Sequence, residues 1–204
     1  MKPIGRGSLR WVISYHDNTA LVVVDVQNDF ADPNGNLYVG GGDQVVPRVN
    51  VEVMRARSAG ALVVYTQDWH PESTPHFAKD GGVWPVHCVM DTWGAEFHPR
   101  LEVSGPIVRK GSNGEDGYSG FTMRDPSTGE ETATPLREIL EEHGIERVVI
   151  VGLALDVCVK ATALDAVETF ETTVVVDATA PVELEPGDGV RAVEEMRTRG
   201  VVVV

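Results

Sequence analysis

Six short runs rich in valine and isoleucine recur along this chain, separated by longer stretches whose apolar residues repeat at helical spacing. This alternation is typical of βαβ units, in which parallel strands are buried on both faces. The predicted strands are 21–26, 61–67, 106–109, 147–152, 173–177 and 201–204. The chain is therefore expected to fold as an α/β protein around a mainly parallel six-stranded sheet.

The stretches between these runs predict helices at 43–58, 134–143, 156–170 and 188–199. The first and last begin with Asp43 and Asp188, residues suited to a helix N-cap. Gly60, Gly144 and Gly200 follow three of the helices, where the chain commonly adopts a left-handed conformation. Two longer segments, 68–105 and 111–133, each begin directly after a strand, and loops of that length are commonly functional.

The length of 204 residues suits one domain, predicted at 19–204 with an N-terminal extension at 1–18. The extension contains basic residues but no apolar core of a secretory signal, so a cytoplasmic location is expected. The longest apolar runs have the length of a strand, so no membrane contact is expected. The formal net charge of -14 argues against nucleic acid as a partner. Cys88 and Cys158 are the only cysteines and are expected as free thiols.

Four reactive side chains lie at the carboxyl ends of neighbouring strands. Asp25, Asp68 and Lys110 end or follow the first three, and Cys158 lies just after the fourth, in the first turn of a helix. Ligands of open parallel sheets bind beyond the carboxyl ends of the strands. Each residue alone has an ordinary structural explanation as a turn, a solvated charge or packing. Together they are a nucleophile with its activators, which favours an enzyme.

Cys158 is the predicted nucleophile. A thiol reacts as the thiolate, and a helix N-terminus and a nearby ammonium such as that of Lys110 both lower its pKa. Asp25 can accept the thiol proton and return it to a departing amine, as acyl transfer requires. Cys88 has no comparable set of partners in the sequence.

A second group of residues has the chemistry of a metal site. Asp68 and His70 stand two residues apart, and His87 follows at some distance. One carboxylate and two imidazoles suit one divalent ion, with zinc expected first and iron or manganese also compatible. His76 can add a ligand or support the others. A closed structural zinc site is disfavoured because no pair of closely spaced cysteines exists.

The sequence resembles the nicotinamidases of the isochorismatase-like hydrolase superfamily. The matching motifs are VVVDVQNDF at 22–30, TQDWHP at 66–71, WPVHC at 84–88, RKG at 109–111, DGYSGF at 116–121 and GLALDVCV at 152–159. Together they are highly specific and the likeness runs from Thr19 to the C-terminus. The resemblance implies a doubly wound sheet with helices on both faces. The extension and an acidic insertion at 127–131 depart from the pattern without touching a motif residue.

The resemblance also assigns roles to individual residues. It implies a catalytic triad of Asp25, Lys110 and Cys158, and metal ligands Asp68, His70 and His87, with the metal holding the pyridine nitrogen of the substrate. A cis peptide bond before Ala154 is implied, with the amides of Ala154 and Cys158 forming an oxyanion hole. Phe30, Trp84 and Tyr118 match positions that line the ring pocket, although core packing alone also explains these aromatic residues.

The implied activity is hydrolysis of nicotinamide to nicotinate and ammonia through a cysteine thioester, a step of NAD salvage, with pyrazinamide as a further substrate and assembly into a homo-oligomer. One alternative keeps the fold and acts on another small amide or carbamoyl compound, or on a vinyl ether. Another is a catalytically silent sensor of small molecules. The combination of metal motif and cysteine favours the amidase acting on nicotinamide.

Overall fold

The computed structural model describes residues 13–204. In this part of the chain a six-stranded parallel sheet has the order β3-β2-β1-β6-β7-β8, and a separate antiparallel pair is formed by β4 and β5. The strands are β1 (Thr19–Val24), β2 (Leu62–Asp68), β3 (Ile107–Lys110), β4 (Thr122–Arg124), β5 (Glu131–Ala133), β6 (Arg147–Leu153), β7 (Glu171–Ala180) and β8 (Val202–Val203). The predicted α/β class and parallel six-stranded sheet are confirmed.

Strand β1 shows why the apolar runs form central strands. All six of its residues are buried, and Val22 pairs with Val64 of β2 on one side and Ile150 of β6 on the other. Successive side chains point to opposite faces of a strand. Leu21 and Val23 therefore pack into one hydrophobic core, and their neighbours pack into a second core across the sheet.

Helices cover both faces of the sheet, as expected for a doubly wound fold. The helices are α1 (Asn28–Ala31), α2 (Gly42–Ser58), α3 (Leu136–Glu142), α4 (Lys160–Ala166) and α5 (Asp188–Thr198). Apolar residues of α2 lie in the first core, whereas α3, α4 and α5 contribute to the second. The cores stabilise the sheet from both sides and leave the ends of its strands free to form a site.

Two predicted N-cap residues and the start of a third helix differ from the structure. Gly41 and Gly187 are the N-cap residues of α2 and α5, both in a left-handed conformation, so Asp43 and Asp188 lie inside the first turn. The helix predicted from residue 156 begins as a π-helical turn, Leu155–Val159, before α4. Both kinds of helix bring residues three and four apart close together, so side-chain spacing does not distinguish them.

The segment 111–133, predicted as a long loop, contains the hairpin of β4 and β5. Its strands are three residues long and mostly exposed, so they carry no apolar alternation from which a strand is recognised. The acidic insertion at 127–131 includes most of the connection between them, where the carboxylate of Asp125 accepts the N–H groups of Ser127 and Thr128. Gly129 has a left-handed φ of 75° in this turn.

Of the predicted extension, residues 1–12 lie outside the described part of the chain. Tyr15 is buried in the first core and its hydroxyl donates to Oε2 of Glu52 in α2, at 3.0 Å. This contact attaches the start of the described chain to the domain. Among residues 13–204, no helix combines the length and the apolar character needed to span a bilayer.

Candidate active site

The candidate site lies where the order of the strands changes direction. Strand β1 stands between β2 and β6, so the chain connections leave a crevice at the carboxyl ends of β1 and β6. Asp25 follows β1 directly, and Cys158 lies in the π-helical turn that follows β6. The peptide bond between Leu153 and Ala154, at the start of that turn, is cis, as the resemblance implies.

Lys110 is the centre of the site. Its side chain is fully buried, and Nζ lies 2.7 Å from Oδ2 of Asp25 and 3.8 Å from Sγ of Cys158. Nζ also contacts Oδ1 of Asp68 and donates to the carbonyl oxygen of Gly117. A buried ammonium is costly unless it is paired and hydrogen-bonded, and these contacts satisfy that requirement. The structure thus brings together the three residues of the predicted triad.

Asp25 is held in place by its neighbours as well as by Lys110. Its backbone has a left-handed φ of 48°, and its Oδ1 accepts a 2.6 Å hydrogen bond from Oγ1 of Thr66 in β2. One carboxylate oxygen is thereby fixed by a hydroxyl and the other faces Lys110 and Cys158. This arrangement keeps the carboxylate next to the sulfur.

Burial and the neighbouring charges favour the protonated form of the Cys158 thiol. Burial raises its pKa well above the usual range, against the lowering effect of Lys110, and the carboxylates of Asp25 and Asp68 raise it further. Burial raises the pKa of Asp25 to about 6, which Lys110 opposes. The prediction of a lowered thiol pKa was wrong, because burial and two carboxylates outweigh one ammonium. At neutral pH the site therefore holds a thiol beside an ionised carboxylate.

Three imidazoles form a buried cluster beside this group. His70, His76 and His87 each offer a ligand atom, and these atoms lie within 4.8 Å of one another. Burial lowers the pKa of His76, and it lowers that of His87 to about 4. A metal ligand must be the neutral imidazole, so both rings are in the form that binds an ion. His76, which the sequence indicates only as an additional candidate metal ligand, belongs to the cluster.

Asp68 joins the imidazole cluster to the catalytic group. Its Oδ2 lies 3.8 Å from Nε2 of His70 and 3.9 Å from Nε2 of His87, while Oδ1 contacts Lys110. Two atoms that each bind one ion at about 2.1 Å lie at most about 4.2 Å apart, so this spacing fits a shared cation. Burial alone would raise the pKa of Asp68, but Lys110 and His70 lower it overall, which keeps the carboxylate ionised.

Among the described residues, the histidine nitrogens that would bind a metal ion are not engaged in hydrogen bonds. Within residues 13–204, neither ring nitrogen of His70 has a hydrogen-bond partner, although the side chain is fully buried. Buried polar atoms are normally paired, and Nε2 of His70, which faces Asp68, is therefore free to bind an ion. Nδ1 of His87 lies 2.7 Å from the carbonyl oxygen of Pro85 and must donate to it, which leaves Nε2 with its lone pair. The residues present therefore fit a divalent cation.

A cavity with mainly apolar walls opens between the thiol and the imidazoles. The three aromatic residues predicted for the ring pocket, Phe30, Trp84 and Tyr118, all line it. Nε1 of Trp84 donates to the hydroxyl of Tyr118 at 2.8 Å, which fixes the two rings relative to each other. Further apolar lining residues are Leu37, Val39, Ala154, Val157 and Val182. An aromatic ring with a polar group directed at the sulfur matches this lining.

Four apolar side chains of the lining were missed from sequence. Val182 follows β7, so the rule that sites lie beyond strand ends applies to it, but as an apolar residue it carries no chemical signal. Leu37 and Val39 lie beyond α1, and nothing in their spacing shows that they return to the site. Val157 precedes the nucleophile, and as an apolar residue it also carries no chemical signal.

A family model described as the Isochorismatase domain matches residues 19–204. The chain belongs to this isochorismatase family. It is 40% identical over 191 residues to the nicotinamidase/pyrazinamidase of Mycobacterium tuberculosis, covering 91% of this chain and 97% of that protein. The resemblance noted in the sequence is confirmed.

Two solved structures share the fold of this chain. The pyrazinamidase of Pyrococcus horikoshii in complex with zinc is 42% identical with a TM-score of 0.81, over 92% of this chain and 98% of that one. PnC1 from L. infantum in complex with nicotinate is 33% identical with a TM-score of 0.83, over 94% and 95% of the two chains.

Proposed function

We propose that this protein is a nicotinamidase, which hydrolyses nicotinamide to nicotinate and ammonia through a thioester on Cys158. The observation that carries the proposal is the contact of one buried ammonium, Lys110, with Asp25 and with the sulfur of Cys158, beside three imidazoles. Relatives similar over most of the chain carry the same activity in their names. A role in NAD salvage follows from the product, and pyrazinamide is proposed as a second substrate.

In the acylation step Cys158 attacks the carboxamide carbon and Asp25 takes the thiol proton. Lys110, 3.8 Å from the sulfur, stabilises the negative charge that develops there. We assign the backbone amides of Ala154 and Cys158 to the carboxamide oxygen, and a donor in such a position contributes a factor of about 10²–10³ to the rate. Asp25 then gives its proton to the nitrogen as the C–N bond breaks and ammonia leaves.

Deacylation reverses these roles. A water molecule attacks the carbonyl carbon of the thioester, Asp25 accepts one proton from that water, and the C–S bond breaks to release nicotinic acid, which loses its remaining proton to solvent to give nicotinate. The proton returns from Asp25 to the sulfur of Cys158, which restores the resting thiol. The high pKa of the buried thiol favours this return.

We propose Asp68, His70 and His87 as metal ligands, with His76 as a fourth. Zinc is the first candidate because a similar pyrazinamidase is described in complex with it, and iron and manganese also suit these donors. When bound, such a cation supplies a Lewis acid that holds the pyridine nitrogen of the substrate. Phe30, Trp84 and Tyr118 then hold the ring so that the carboxamide faces Cys158. A cytoplasmic location and a homo-oligomeric assembly remain predictions.

The proposal is tested by measuring ammonia release from nicotinamide, pyrazinamide, a carbamoyl amino acid and a set of aliphatic amides. We expect the highest kcat/KM with nicotinamide, followed by pyrazinamide. Cys158→Ala should abolish release, whereas Cys88→Ala should retain it, because the side chain of Cys88 does not line the cavity. A carbamoyl compound or aliphatic amide turned over far better than nicotinamide would favour the alternative amidase, and no turnover of any amide would favour a sensor.

A further inference from the structure

Three consecutive residues of the loop after β3 contact three different parts of the site. Oδ1 of Asp116 lies 2.6 Å from Nδ1 of His76 in the imidazole cluster. The carbonyl oxygen of Gly117 accepts a hydrogen bond from Lys110, and the hydroxyl of Tyr118 accepts one from Trp84 in the pocket wall. One short segment therefore connects the cluster, the catalytic ammonium and the pocket.

The contact between Asp116 and His76 determines which ring nitrogen is free. An ionised carboxylate only accepts hydrogen bonds, so Nδ1 of His76 must carry the hydrogen. In the neutral ring Nε2 then keeps its lone pair and is the atom able to bind a cation. His76 is 5% exposed and stacks on His70, with ring centroids 4.7 Å apart. The ring is thus fixed in both tautomer and orientation.

The position of Asp116 is itself fixed by the hairpin. Its N–H donates to the carbonyl oxygen of Arg124 at 2.7 Å, and the N–H of Arg124 donates back at 3.2 Å. Arg124 is the last residue of β4, whose partner strand is β5. The hairpin therefore supports the carboxylate that orients His76, and Met123 of β4 also accepts the N–H of Gly111, the residue after Lys110.

We propose that Asp116 is a positioning residue for the metal site, which selects the Nδ1–H tautomer of His76 and directs Nε2 at the ion. The inference rests on the proposed function, in that the imidazole cluster is taken to bind a divalent cation. Carboxylates that accept the second N–H of a ligating histidine commonly account for about 10- to 100-fold in metal affinity. Through Gly117 and Tyr118 the same segment also contacts Lys110 and Trp84 of the aromatic wall.

Competition titration with Zn²⁺ alone tests the inference on protein freed of metal. Asp116→Ala should weaken zinc binding by about 10- to 100-fold. Asp116→Asn should lose less, because its amide oxygen still accepts from Nδ1. Glu115→Gln is the matched control: Glu115 is the adjacent acidic residue, and its carboxylate accepts hydrogen bonds only from Asn113 among the described residues. It should bind zinc as the wild type does.

The tautomer of His76 gives a second readout that needs no metal. Nitrogen-15 NMR of cation-free wild-type protein, with the His76 signals assigned from a His76→Ala variant, should show the hydrogen on Nδ1. In Asp116→Asn the hydrogen should remain on Nδ1 of His76. This variant replaces Asp116→Ala in the test if the alanine variant fails to fold. A hydrogen on Nε2 in the wild type would overturn the proposal.

The zinc titration separates failure of this inference from failure of the metal site. Wild-type affinity in Asp116→Ala would overturn the role of Asp116 while leaving the metal site in place. A wild-type protein that binds no zinc would overturn the metal site and this inference with it. A loss shared equally by Glu115→Gln would also count against Asp116, because it would trace the effect to the charge of the loop.

Discussion

Oδ1 of Asp156 accepts a 2.8 Å hydrogen bond from the backbone N–H of Val182, a residue of the cavity wall. Its other oxygen accepts the N–H of Glu183 at 2.9 Å, and Glu183 has a left-handed φ of 57°. Asp156 stands two residues before the nucleophile Cys158. The turn that carries the sulfur therefore also holds the segment after β7 against the pocket.

We expect Asp156→Ala to raise KM for nicotinamide more than it lowers kcat. The two N–H groups lose their acceptor and Val182 is no longer held at the wall, while Cys158 keeps its contact with Lys110. These two hydrogen bonds are partly buried, and a lost hydrogen bond costs about 0.5–1.5 kcal/mol, so the free energy of unfolding should fall by that order. Asp156→Asn keeps one acceptor oxygen, so its KM should lie between those of the wild type and Asp156→Ala. An unchanged KM in the alanine variant would show that Val182 needs no such anchor.

Gly111→Ala should remove metal binding. A Cβ at this position would lie 2.4 Å from Cε1 and 2.6 Å from Nδ1 of His70, so the imidazole would have to move. Metal content after purification, measured by elemental analysis, is the readout. We expect the variant to contain far less metal than the wild type.

Gly114→Ala is the matched control for this substitution. Gly114 lies in the same loop with a similarly positive φ of 97°, against 78° at Gly111, and the nearest atom to an added Cβ is 3.5 Å away. Both variants carry the backbone cost of a left-handed alanine, about 1–2 kcal/mol. Equal metal contents in the two variants would mean that contact with His70 is not the cause.

Removal of the metal by a chelator should stop ammonia release, and added Zn²⁺, Mn²⁺ or Fe²⁺ should restore it. Because the ion binds the folded protein, Tm should rise with metal concentration. His70→Ala should show neither the rise in Tm nor the recovery, since it lacks a proposed ligand. Full turnover by protein shown to be free of metal would refute the role assigned to the cluster.

The contact between Tyr15 and Glu52 predicts a loss of stability at high pH. Burial, followed by the charge of Glu52, raises the pKa of Tyr15 above its usual value of 10.0. A group whose pKa is raised on folding contributes stability that is complete below pH 10 and is lost as the pH rises further. Wild-type protein should therefore lose more free energy of unfolding than Tyr15→Phe between about pH 9 and about pH 11. Parallel losses in the two proteins would contradict this, because all other titrating groups are shared.

Much of the fold and site could be predicted because buried parallel strands and reactive residues have distinct patterns. The apolar run around Val22 predicted a buried strand, and the strand-end rule placed Asp25, Lys110 and Cys158 at one edge, where the structure has them. What the sequence lacked were contacts that depend on how loops return. The hydrogen bond of Asp116 to His76 joins residues 40 positions apart, and no local pattern encodes it.

The pKa of Cys158 was misjudged for a related reason. The sequence identified the helix terminus and the ammonium near the thiol, but it gave no measure of burial, and Asp68 was assigned to the metal site alone. In the structure Asp68 also contacts Lys110 and lies close to the sulfur, so its negative charge raises the pKa of the thiol. Protonation of a buried thiol depends on the whole cluster of charges and not on its nearest neighbours.

The central claim, that Cys158 forms the acyl intermediate, is tested most directly by acid quenching during turnover of nicotinamide and mapping the peptides by mass spectrometry. A nicotinoyl group should appear on the peptide that contains Cys158, while the peptide with Cys88, the only other cysteine, stays unmodified. Ammonia release at the wild-type rate by Cys158→Ala would contradict the account. So would turnover by the wild type with the acyl group on a peptide other than the one that contains Cys158.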